Sequence, residues 1–301
     1  MRQVIGNAPR DEGPAMVSAM TERREGSKPA KGDCSMNRVP SSRDLRRTLA
    51  GLIAVAALVA GAGAAFAQPV KNIVLVHGAF ADGSSWSRVI PILQAKGYNV
   101  TAVQNPLTSF ADDVAATQRA IARLNGSVIL VGHSWAGVVI TEAGTDPKVV
   151  GLVYVAAFAP DLGEQVGELG KKYPPPPALA SPNVDDKGFL TLSADAFKKF
   201  GSDLPGREAL VAAATQGPIS ASAFQAQVSG VAWKTKPSWY VVSTLDQAID
   251  PGEERFFAKR MNATTTELKA SHVSMLSQPK AVAAVIMDAA AKAQGGKTAT
   301  N

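Results

Sequence analysis

Cysteine is almost absent from these 301 residues, and the single one is Cys34. It lies upstream of a candidate cleavage site after Ala67, so the 234 residues that follow contain none. That absence excludes a disulfide framework, a thiolate nucleophile and a cysteine metal site from the mature chain. Stability must then come from an apolar core, for which this length suffices. Histidine is nearly as scarce, with three residues: His77, His133 and His272. A concentrated basic block is also missing from the main body. Residues 1–67 carry ten Lys and Arg against six Asp and Glu, leaving 21 against 19 for the rest. The formal charge of +6 therefore belongs mostly to the N-terminal segment and does not point to nucleic acid. Long hydrophobic runs are lacking too. The run Leu49–Ala60 is short and rich in alanine, and it predicts no stable membrane span.

What is present at the N-terminus reads as an export signal. Arg43, Arg46 and Arg47 precede the apolar run, and Ala65-Phe66-Ala67 forms an A-x-A cleavage site. The pair Arg46-Arg47 before Thr48-Leu49 is an imperfect twin-arginine pattern. Met36 stands where such a leader would start. The expectation is that residues 1–35 are an over-extended, disordered start, that 36–67 are a signal peptide, and that the product is periplasmic or secreted. Residues 68–301 then form one domain with an inserted cap over 161–236.

After Gln68, short apolar runs alternate with helical ones. Strands are expected at Val70–Val76, Tyr98–Val103, Ser127–Val131 and Val149–Val155, with helices between them at Trp86–Lys96, after Ser109 and at Gly137–Glu142. Ser109 is the expected N-cap of its helix, with Asp112 and Asp113 in the first turn. Continuous apolar strands separated by helices predict an α/β fold with a mostly parallel sheet covered on both faces. The rhythm breaks between Pro160 and Lys236. This stretch holds a proline tract, Pro174–Pro177, read as a rigid spacer, and helical pieces at Ala194–Phe200 and Arg207–Thr215. It resumes with a strand at Ser238–Ser243, a helix at Glu253–Arg260, a strand at Thr265–Leu268 and a helix at Pro279–Lys292. The last residues, Gly295–Asn301, read as a frayed tail.

Chemistry concentrates in Gly132-His133-Ser134-Trp135-Ala136-Gly137. Strand, sharp turn with a central serine, then helix is the setting of a nucleophile elbow, and it marks Ser134 as the nucleophile. A serine hydroxyl needs a base, and the base needs an orienting acid. His133 adjoins the serine and should point away from it, and His77 ends the first strand. That leaves His272, in the chain order Ser, acid, His. The acid should follow a strand between Ser134 and His272: Asp246 ranks first, Asp161 second, and Asp250 third as a helix cap before Pro251. An oxyanion hole needs two backbone donors. The N–H of Trp135 and that of Ala79, in the loop His77-Gly78-Ala79-Phe80, are the candidates. Phe80, Trp135 and Phe224 are expected to line a small apolar pocket.

These residues carry a family resemblance. Val74–Phe80, Trp86, the elbow, Asp246 and Ser271-His272-Val273 resemble the α/β-hydrolase superfamily, in its branch of compact small-molecule esterases that includes plant methyl-salicylate esterases and hydroxynitrile lyases. The resemblance covers residues 70–292. It implies a Ser134, Asp246 and His272 triad, an oxyanion hole from Ala79 and Trp135, no cofactor, no metal, and a helical cap inserted after Val155, the sixth strand of the family's scheme. Two departures matter. Ala136 stands where the usual elbow has glycine. Val74 and Val273 replace the threonine and lysine of the lyases, which removes the groups specific to cyanohydrin cleavage. The reading is a serine hydrolase acting on a small carboxylic ester through an acyl-enzyme. The alternatives are lactone or amide hydrolysis, acyl transfer or perhydrolysis with the same triad, and a ligand-binding receptor on the same fold.

Overall fold

A computed structural model describes residues 69–293. The leader readings over 1–35 and 36–67, Cys34 and the tail from Gly295 lie outside the described residues. Six parallel strands form the main sheet: β1 (Asn72–Val76), β2 (Asn99–Val103), β3 (Val128–His133), β4 (Val149–Val155), β8 (Ser238–Ser243) and β9 (Thr264–Leu268). Their spatial order is β2-β1-β3-β4-β8-β9. Every residue of β1, β3 and β8 is buried, which is why these strands read as unbroken runs rather than alternating ones. β9, at one edge, is Thr-rich and half exposed, a composition that blunts an open edge. The chain steps outward from β1 to β2 and then back across β1 to β3. A binding crevice is expected at such a reversal, beyond the carboxyl ends of the strands.

The helices of this layer are α1 (Ile90–Ala95), α2 (Phe110–Ala122), α3 (Ala136–Ala143), α7 (Pro251–Arg260), the short α8 (Ser274–Ser277) and α9 (Pro279–Lys292). Ser109 caps α2 as expected, its hydroxyl accepting from the Asp112 N–H. Asp250 caps α7 ahead of Pro251, its carboxylate accepting from the Gly252 N–H. The single helix expected over Trp86–Lys96 is divided. Asp82 caps a separate 3-10 turn at Gly83–Trp86, and α1 starts only at Ile90, beside Pro91. Proline has no N–H to give and is accepted only in a first turn, so the helix begins there.

Between β4 and β8 lies the cap. It holds α4 (Val166–Leu169), α5 (Ala194–Phe200) and α6 (Gly206–Thr215), as the helical pattern suggested for the last two. It also carries an antiparallel sheet, β5 (Asn183–Val184), β6 (Phe189–Thr191) and β7 (Ile219–Ser220). Strands of two or three residues are too short to leave an alternating pattern, so the sequence reads as purely helical there. The two ends of the cap are tied together: the Trp233 indole N–H donates to the Pro160 carbonyl.

Candidate active site

The turn after β3 has the strain its sequence predicts. Ser134 has φ +55°, in the left-handed region that costs a non-glycine residue about 1–2 kcal/mol. The fold holds it there through its backbone. The Ser134 N–H donates to the carbonyls of Val155 and Ala156, and its own carbonyl accepts from the N–H groups of Gly137 and Phe158. The adjoining glycine is obligatory for space. A Cβ on Gly137 would lie 2.0 Å from the Phe158 carbonyl oxygen. Ala136, the departure from the usual elbow, is accommodated as the fully buried first residue of α3.

The loop after β1 lies directly on this elbow. A Cβ on Gly78 would come within 2.7 Å of the Ser134 Cβ, so only glycine permits the approach. His77 secures the loop. Its Nδ1–H donates to the Gly78 carbonyl, and its Nε2 accepts from the Asn105 N–H, both at 2.9 Å. Burial lowers its pKa and keeps it neutral. The candidate oxyanion donors, Ala79 and Trp135, both face the cavity above Ser134. Neither N–H donates to a backbone carbonyl among the described residues.

The loops after β8 and β9 bring in the other two expected residues. His272 Nδ1 lies 2.5 Å from the Asp246 carboxylate, with both side chains fully buried. The second Asp246 oxygen accepts from the N–H groups of Ala248 and Ile249, which fixes the carboxylate. His272 Nε2 is left without a hydrogen-bond partner. The competing acids do not pair with His272: Asp161 forms a surface ion pair with Lys234, and Asp250, although it lines the same cavity, is the helix cap described above. His133 points away from the serine, as expected. Its Nε2–H donates to the His272 carbonyl at 2.9 Å, and burial, with the adjacent His272, holds its pKa well below the ordinary value.

Ser134 opens into a cavity of about 480 Å³. The expected Phe80, Trp135 and Phe224 all line it, together with Phe158 and Phe200. Phe200 also packs edge-on to the His272 ring at 4.4 Å, linking the cavity wall to the buried histidine. A second cavity of about 320 Å³ shares Phe80 and Phe200 but is not lined by Ser134, which opens only into the larger of the two. Several contributors escaped the sequence reading. Pro174–Pro176, expected as a spacer, form part of the cavity wall. Asp113, expected only as a first-turn acid, is fully buried and accepts from the Trp135 indole N–H at 2.8 Å. Glu254 is fully buried beside Asp246, and burial with that neighbouring charge drives its pKa well above the ordinary range. An acidic residue eight positions after Asp246 gave no signal that distinguished it from a solvated helix face. Among the described residues, no group of three or more His, Cys, Asp or Glu side chains is arranged to hold a metal ion.

Comparison with known proteins agrees with this fold. The chain is 27% identical to a pyrethroid hydrolase of Sphingobium wenxiniae, with 77% of this chain and 92% of the relative covered. It is 26% identical to salicylic acid-binding protein 2 of Nicotiana tabacum, over 74% and 98% of the two chains. Its fold matches the crystal structure of polyneuridine aldehyde esterase with a TM-score of 0.63 at 21% identity, covering 72% of this chain and 98% of that one. The model of the alpha/beta hydrolase family matches residues 73–285, and the chain belongs to that family.

Proposed function

We propose that the protein is a serine esterase acting on small carboxylic esters through an acyl-enzyme. The observation that carries this reading is Ser134 held at φ +55° in the wall of a largely apolar cavity. Three supports accompany it: the buried His272–Asp246 pair, the two free N–H groups of Ala79 and Trp135, and relatives that include a pyrethroid hydrolase and an aldehyde esterase. Ser134 Oγ attacks the ester carbonyl, and its proton passes to His272 Nε2, the ring nitrogen without a partner. Asp246 holds the Nδ1–H tautomer and balances the imidazolium. The oxyanion is met by Ala79 and Trp135 N–H. His272 returns the proton to the leaving alkoxide, and water then cleaves the acyl-enzyme with the same base. Nothing in these steps requires a cofactor. The leader of the sequence adds that the enzyme is exported and begins at Gln68, which N-terminal sequencing of the mature product tests.

The enzymatic test is direct. A fluorophosphonate should label Ser134, located by peptide mass. Ser134→Ala should lower kcat/KM for p-nitrophenyl acetate by roughly a thousandfold or more. Unchanged turnover in Ser134→Ala, or labelling at another residue, overturns the proposal.

A further inference from the structure

The cavity above Ser134 is apolar over most of its wall, yet one region of it is acidic. Glu253, in the first turn of α7, lines the cavity with Asp250. Its residue is only 3% exposed, and its Oε1 has no hydrogen-bond partner. A buried carboxyl with an unsatisfied oxygen is costly to a fold, and such a group calls for a ligand or a function. Among the described residues Glu253 forms no ion pair. The nearby cations are committed elsewhere: Arg260 to the Glu164 carboxylate and Lys171 to Glu168. The wall facing Glu253 offers it no counter-charge either. Gly170 packs its backbone beside the carboxyl, where an added Cβ would sit 3.5 Å from Glu253 Oε2, and it brings no side chain to pair with it.

We propose that Glu253 forms a subsite for a protonated amine carried by the substrate, so that amine-bearing esters are favoured over neutral ones of the same shape. This deepens the esterase reading and rests on it. The charges around Glu253 are mixed in sign, with Lys171 on the same cavity wall. Asp250 and Asp246 add negative potential, Arg260 opposes it, and Tyr173 stands across the cavity with its own pKa raised by burial and by Glu253 and Asp250. Burial and the Asp250 charge push the Glu253 carboxyl up to about 7. The subsite is thus anionic in mildly alkaline solution and neutral in acid, and an ammonium group entering it pairs the carboxylate.

The test compares isopentylamine with isopentanol as competitive inhibitors of p-nitrophenyl acetate turnover by the full chain. The amine stays protonated across the whole range from pH 5.5 to 8. At pH 8 the amine should inhibit at roughly tenfold lower concentration than the alcohol, the scale of one charge-assisted hydrogen bond. The advantage should fall away at pH 5.5 and disappear in Glu253→Gln. It is read as the ratio of two inhibition constants within each variant, so changes in basal turnover cancel. If Glu253→Gln does not fold, the pH dependence of the wild-type ratio carries the test. Equal inhibition by both compounds, or a ratio unchanged by pH or by the substitution, overturns the subsite. Were p-nitrophenyl acetate not turned over at all, the esterase reading would fail by itself. The same two ligands would then be compared by their shift of the wild-type Tm at both pH values.

Discussion

Replacing Glu253 with glutamine should make the protein more stable, and only above a definite pH. The carboxyl lies about 2.5 pH units above its ordinary 4.5, at about 7, because burial and the neighbouring Asp250 disfavour its charge. At about 1.4 kcal/mol for each pH unit, that displacement corresponds to roughly 3 kcal/mol. The sign follows from linkage. The folded state holds the Glu253 proton more tightly than the unfolded chain does. Stability is therefore unaffected below about pH 4.5, declines as pH rises from there to 7, and stays lowered above 7. Glutamine has the shape of the protonated acid and never ionises. Glu253→Gln should match the wild type at pH 4 and exceed it by up to about 3 kcal/mol at pH 8, or about 6–12 °C in Tm for a domain of this size. Urea denaturation of both proteins across pH 4–9 measures the difference, in which every other titrating group cancels to first order. A stability difference independent of pH would refute the reasoning, and so would a variant less stable at pH 8.

Other substitutions probe the rest of the site. Asp246→Asn should leave the fold intact but reduce kcat roughly ten-thousandfold through the wrong His272 tautomer. Asp161→Asn, which breaks only a surface ion pair, should retain near-normal kcat. Gly137→Ala should abolish soluble expression or lower Tm sharply, because its Cβ has no room against the Phe158 carbonyl; a normal melt would show that the elbow can relax. His133→Ala leaves the buried His272 carbonyl without its donor, which should cost about 1–3 kcal/mol in urea titrations and lower kcat as the His272 loop loosens.

Much of this site is legible in the chain because its parts are local. The elbow is one hexapeptide whose glycine and serine must sit at fixed offsets, since a sharp strand-to-helix turn tolerates no other arrangement. The three histidines could be sorted by position alone, and the structure places each as expected: His77 in its loop, His133 turned away and His272 paired with Asp246. The buried strands were equally plain, because residues covered on both faces must be apolar throughout. Asp113, Glu253 and Pro174–Pro176 were not legible. Each has an ordinary local reading, as first-turn acid, helix residue or spacer. Their roles arise only where separate elements meet. The helix α2 turns Asp113 onto the Trp135 indole, and α7 and the cap close over the same cavity.

The sequence by itself determined the parallel sheet and the sharp strand-to-helix turn at Ser134, because those depend on local turn geometry and on apolar periodicity. Only the tertiary structure decided which acid pairs with His272. Asp161, Asp246 and Asp250 all follow strands or open helices in the chain, and the choice among them depends on distance in space. It likewise decided the shape and charge of the cavity. Parallel strands carry their carboxyl ends to one edge, where loops and the cap from residues far apart in the chain are packed together. The composition of that wall is a property of the packing, and no single segment encodes it.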